Sequence, residues 1–204
     1  FGASIEQMVA LAFLMPIVIG LTYITAPFFI QLILPEYIPG IPVLFVIVPA
    51  IFFMGFSSIC GIFLIGLNKE KVYLTHQVIM ISLAILLNYV ALSNGYGIVG
   101  VAVATAISFF LYSTIMLYLS LKNYVSGFVG LLKKYIHLYS PIVYVMIILK
   151  LFALFEFQNV WYELINIIAK SFLFILLVLP FVYYVNKKVG VISQIISFIG
   201  QFPL

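Results

Sequence analysis

From Lys71 to Lys122 the sequence carries no Lys, Arg, Asp or Glu, and the same holds from Glu6 to Glu36 and from Glu36 to Lys69. A hydrocarbon core about 30 Å thick is crossed by roughly 20 apolar residues in a helix. Each interval is therefore long enough for at least one crossing. Within lipid the backbone N–H and C=O groups must find partners inside the segment, and an α-helix supplies them all. Composition points the same way: 66% of residues are hydrophobic and 7% charged, against about 45–50% and 25% in soluble domains. The 204 residues are expected to fold as an all-α polytopic transmembrane helix bundle of six spans, with no room for a sizeable soluble domain.

Hydropathy places the spans at about residues 8–34, 41–66, 72–93, 97–120, 139–156 and 163–186. Pro16, Gly20 and Pro27 interrupt the first, which is expected to bend because proline removes an intrahelical hydrogen bond. Pro35, Pro39 and Pro42 punctuate the turn into the second span, and Ser140-Pro141 reads as the N-terminal cap of the fifth. Four units result: residues 1–122, a four-helix part; 123–138, a basic amphipathic helix on the membrane surface; 139–186, two accessory spans; and 187–204, a second interfacial segment. The last places Val189, Ile192, Ile195, Ile196 and Ile199 at helical spacing.

The few charges act as topological markers. Seven of nine lysines (Lys69, Lys71, Lys122, Lys133, Lys134, Lys187, Lys188) fall at one end of a six-span bundle. The opposite connections hold Glu36, the uncharged Ser93-Asn94-Gly95-Tyr96, and Glu156 with Glu163. The positive-inside rule makes the lysine end cytoplasmic, so a plasma or inner membrane with both ends of this chain inside is expected. Trp161 and Tyr162 at one end, and Tyr183 and Tyr184 at the other, suit interfacial aromatic belts. The net charge of +4 is accounted for by lysines facing anionic lipid, so membrane lipids are expected partners and nucleic acid is not.

The sequence contains no Asp and no Arg, which removes aspartate-based metal sites and triads. Cys60 has no second cysteine to pair with, and His76 and His137 lie apart without nearby carboxylate or thiol ligands, so neither metal nor cofactor is expected. The chain opens on Phe1 without a recognisable signal peptide, as expected of a fragment or processed product.

The most distinctive segment is Asn94-Gly95-Tyr96-Gly97-Ile98-Val99-Gly100, followed by Val101-Ala102-Val103-Ala104-Thr105. Asn-Gly starts a tight turn, and Gly97, Gly100 and Ala104 recur about one helical turn apart, as small residues do where helices approach closely. A phosphate loop is excluded because no Gly-Lys-Ser/Thr follows. With Asn88-Tyr89 before it, this run resembles the C-terminal half of polysaccharide flippases of the multidrug/oligosaccharidyl-lipid/polysaccharide exporter superfamily. Met15-Pro16-Ile17-Val18-Ile19-Gly20-Leu21, Leu34-Pro35-Glu36-Tyr37 and Gly66-Leu67-Asn68-Lys69-Glu70-Lys71 agree in order and spacing, so the resemblance covers residues 8–122. It implies the last four helices of one lobe of a two-lobe transporter, with two accessory helices after them. It further implies alternating-access translocation of a lipid-linked oligosaccharide, a partner N-terminal lobe, coupling to protons or sodium, and no enzymatic step. Drug or cation antiport in the same superfamily is the alternative. All five glutamates lie at span ends or in loops, which weighs against it. A membrane glycosyltransferase or polymerase, the remaining rival, needs catalytic carboxylates or a large outer loop.

Lys150 and Lys170 fall inside spans five and six, where ionisable residues are functional candidates by default. They read either as a cationic site for a pyrophosphate or acidic sugar, or as side chains snorkelling to the headgroups or pairing with Glu156 and Glu163. His76 and Gln77 are candidates at the lysine end of span three. Asn88, Tyr23 and Thr25, with Thr22, Thr105, Ser108, Tyr112 and Thr114, read either as a polar path or as interhelical hydrogen bonding.

Overall fold

The computed structural model describes residues 2–122, 124–125, 127–153 and 160–189, with side chains described for 6–122, 124–125, 127–153 and 164–187. Six helices follow in order: α1 (Gly2–Ile33), α2 (Ile41–Gly66), α3 (Glu70–Ser93), α4 (Gly97–Leu121), α5 (Gly127–Phe152) and α6 (Val160–Val189). A 3-10 turn at Pro35–Gly40 joins the first two. All six helices are long and apolar enough to cross a membrane. Among the described residues there is no strand, so the fold is the expected all-α multi-pass bundle.

The turns follow from local chemistry. At the end of α2, Asn68 adopts the left-handed conformation (φ 55°), which asparagine tolerates better than most residues. The Asn68 and Lys69 N–H groups then donate to the Ile65 and Leu64 carbonyls, closing the helix. The α3–α4 corner repeats this device with Gly95 (φ 76°), whose N–H donates to Leu92 while that of Tyr96 donates to Ala91. Gly97 also lies at positive φ (60°), so the Gly-Tyr-Gly corner is fixed by backbone need.

One helix boundary departs from expectation. α1 continues through Pro16 and Pro27 as a single span. α5 is one helix from Gly127 to Phe152, so Ser140-Pro141 lies in its interior instead of capping it, and residues 127–138 share a helix with the fifth span. Pro141 cannot bond the His137 carbonyl, but the Ser140 hydroxyl donates to that carbonyl at 3.3 Å and satisfies the group that proline leaves free. The expected interfacial segment beyond Val189, together with Glu156 and the side chains of Trp161, Tyr162 and Glu163, lies outside the described residues.

In packing, α1 to α4 form one unit: α2 lies along α4, α4 along α3, and α1 along α2. Helices α5 and α6 both dock on α1, and their side chains meet in a second buried cluster of Val145, Ile148 and Leu149 with Phe174 and Val178. In its most apolar stretch α1 is 39% buried, against 11% for α3 and α6, which marks α1 as the central helix and those two as peripheral. The main core joins Phe13, Phe52, Phe56, Leu64, Met116 and Leu117. Between helices in lipid, close packing and hydrogen bonds replace the hydrophobic drive, and α5 shows both. Phe52, Phe53, Phe56 and Phe110 surround the Tyr139 ring at 5.5–6.4 Å between centroids. The Tyr139 hydroxyl lies 2.8 Å from that of Ser113, and Tyr135 donates to the Thr114 carbonyl at 2.6 Å. These two tyrosines, one turn apart, fasten α5 to α4.

Candidate functional site

Two half-open cavities of about 340 Å³ each lie between the helices. The first sits near the end of the bundle that carries Glu36, walled by α1, α2, α5 and α6. Its polar side chains are Tyr23 and Gln31 from α1 and Asn166 and Lys170 from α6, set among Ile24, Pro27, Phe28 and Phe45. The Tyr23 ring stacks on Phe45 with centroids 4.4 Å apart. Asn166 and Lys170 share the wall because residues four apart lie on one helix face. Beneath the cavity α1 and α6 come together where the fully buried Phe174 ring covers Gly20.

The second cavity lies within the four-helix unit, between α2, α3 and α4. Ser57, Ser58, Tyr73, Gln77, Ser108 and Tyr112 line it together with Met54, Met80 and Phe109. The serine hydroxyls donate to carbonyls of their own helices, at 3.0 Å for Ser57, 3.2 Å for Ser58 and 2.9 Å for Ser108. Each keeps acceptor capacity. The lining carries neutral hydrogen-bonding groups and aromatic rings, and no charged side chain among the described residues. A third, more open groove of about 540 Å³ follows α5 past Tyr135, Tyr139, Val143 and Ile147 and is almost wholly apolar.

The candidate residues do not gather at one place. Tyr23 and Lys170 meet in the first cavity and Gln77 lines the second. Lys150 is exposed, one residue beyond Leu149, which does face the first cavity, so the two intramembrane lysines do not form a paired cationic site. Thr25 donates to Leu21 at 2.8 Å and Thr22 to Val18 at 2.9 Å, both within α1. Thr114 likewise donates to Phe110. His76 Nδ1 lies 2.8 Å from the Val72 carbonyl of its own helix. Asn88 accepts from Thr105 at 3.3 Å, a bridge between α3 and α4.

The expected packing face of small residues is only partly one. Ala104 is buried in α4, whereas a side chain at Gly97 would meet open space, and one at Gly100 would meet the Tyr96 side chain of its own turn and, at 3.6 Å, Ala91. Pro16 is fully buried in α1. Gln31, Asn166 and the Tyr135–Tyr139 pair emerge only from the fold. Their one sequence signal is an amide or hydroxyl set within an apolar run. Among the described residues no three His, Cys, Asp or Glu side chains come together. No family model matches the chain, and comparison with curated proteins and with solved structures likewise finds no match.

Proposed function

We propose that this chain is the C-terminal part of a plasma-membrane flippase that carries a lipid-linked oligosaccharide across the bilayer by alternating access, α1–α4 belonging to one lobe of a two-lobe carrier. The observation that carries the reading is the second cavity. Its wall of serine hydroxyls, the Gln77 amide and the rings of Tyr73, Phe109 and Tyr112 offers neutral donors, acceptors and flat apolar faces, and no charge among the described residues. Sugars are bound by such walls: hydroxyls need many neutral partners, and their C–H faces need aromatic surface. A drug or cation antiporter needs an acidic exchange site within the spans, and this cavity offers none among the described residues.

Support also comes from the division of the bundle. Among the helices that bear the flippase-like motifs, α2, α3 and α4 pack together, and α1 lies along α2 while α5 and α6 dock on its other side. On this reading the lysine end faces the cytoplasm, and the carrier works with a second lobe and draws on a proton or sodium gradient.

The test is translocation of a fluorescent lipid-linked oligosaccharide by the whole protein in proteoliposomes. Removing residues 1–204 should abolish it, and Gln77→Leu with Tyr112→Phe should slow it while leaving the protein folded. Translocation that survives the deletion refutes the proposal.

A further inference from the structure

The first cavity differs from the second in one respect: it holds a cation. Lys170 stands in its wall with Tyr23, Gln31 and Asn166, three neutral hydrogen-bonding side chains from two helices. Helix α6 has 30 residues, which at 1.5 Å per residue makes it about 45 Å long against a core of roughly 30 Å. With α6 centred on that core, Lys170, ten residues into it, lies about 7 Å inside the hydrocarbon boundary, within reach of the headgroup layer for a snorkelling ammonium. The rest of the wall (Ile24, Pro27, Phe28, Phe45) is apolar and suits the glycerol and upper acyl region of a lipid.

Charge decides which lipid. One ammonium with neutral partners balances one negative charge, whereas a diphosphate would carry charge that nothing described in the cavity offsets. Lys150 does not supply it, since it is exposed outside the cavity. We propose that this cavity is a binding site for a phospholipid of net charge −1, whose one phosphodiester is not offset by a headgroup cation, drawn from the leaflet at the Glu36 end, with Lys170 holding the phosphate and Tyr23, Gln31 and Asn166 bonding its oxygens and headgroup. The site goes beyond the transport reading: its lipid is distinct from a diphosphate-linked glycan and binds whether or not the chain moves one.

The test uses the whole protein in vesicles of phosphatidylcholine with a minority of spin-labelled phosphatidylglycerol, reading the motionally restricted fraction. The native protein should retain phosphatidylglycerol over labelled phosphatidylcholine. Lys170→Gln should reduce that preference about tenfold, the scale of one charge-assisted hydrogen bond. Lys170→Arg should preserve it, and Lys150→Gln should leave it unchanged. Equal loss in the two Lys→Gln variants would overturn the proposal by showing general surface charge, and an unchanged Lys170→Gln would overturn it outright. Displacement of the label by inorganic phosphate would overturn the lipid assignment in favour of a free anion. Loss of lipid preference with intact glycan transport separates this site from the transport reading.

Discussion

Gly20 is the position where one added carbon should tell most. It is buried in α1 directly under Phe174, and a Cβ built there would fall on that ring, within 2.7 Å of both its Cε atoms. Contacts that short do not occur between carbon atoms, so either the ring or the helix must give. The ring is fully buried among Val145, Ile148 and Val178, with Ile17 and Leu21 against it, which leaves α6 to move away from α1. Overpacking of this kind costs about 1–3 kcal/mol. For a chain of this size that is a fall in Tm of between about 2 and 12 °C. Gly20→Ala in lipid nanodiscs, followed by thermal unfolding, measures it directly. The partner change Phe174→Leu removes much of the ring and creates a void of its own, so each single variant should be less stable than the native chain. Together they should relieve each other, with a coupling of about 0.5–3 kcal/mol in the stabilising direction. Losses that merely add would show that the ring does not lie over Gly20. Because Tyr23 is three residues beyond Gly20 and Lys170 four before Phe174, the same variants should also widen the first cavity and weaken whatever it binds.

Three further measurements probe other parts of the fold. Tyr139→Phe removes the bond to Ser113, which is fully buried, and should cost about 0.6–1.7 kcal/mol in a membrane bundle, read as a lower midpoint of thermal unfolding. Gly95→Ala should lose about 1–2 kcal/mol because it forces a side chain into the left-handed region, whereas Asn68→Gly, already left-handed, should be near neutral or slightly stabilising by the same assay. Single cysteines introduced at Lys69 and Asn94 should be labelled by an impermeant maleimide from opposite sides of the membrane. Cys60, with no exposed surface, should stay silent until the protein is unfolded. Labelling of both introduced cysteines from one side would remove the six-span topology.

The helices themselves were legible because lipid leaves a chain few choices. Sustained apolar runs must be helical, and the places where they stop are marked by Asn68, Gly95 and the lysines, whose reasons for being there are local. Ser140-Pro141 misleads for a physical cause. Serine before proline makes a cap where the chain upstream is free, but here the serine hydroxyl instead repairs the carbonyl that proline abandons, and the helix continues. No feature of the dipeptide separates the two outcomes; the neighbours of residues 127–138 decide. Those neighbours include the ring cluster around Tyr139, drawn from α2 and α4, which docks this part of the chain against the bundle.

The candidate site was less legible because polarity in a membrane helix has two uses that look alike in sequence. Thr22, Thr25, Thr114 and the ring nitrogen of His76 all turn back on their own helices, and Asn88 is spent on Thr105. Gln77 and Lys170 instead reach cavity walls. The decisive quantity is which way a residue faces relative to helices that are distant in sequence. Lys150 and Lys170 make the point most clearly. Counting residues from the loop puts them at one depth, and depth alone would pair them. Yet Lys150 follows a residue that faces the cavity and is itself turned outward, while Lys170 stands one turn from Asn166 in the cavity wall. Depth in a bilayer is a one-dimensional property and can be read from a sequence; azimuth around a helix becomes meaningful only once its neighbours are placed. One lysine is thereby left for the lipid surface and the other for a bound anion, which is why a variant at each, measured side by side, separates a site from a surface.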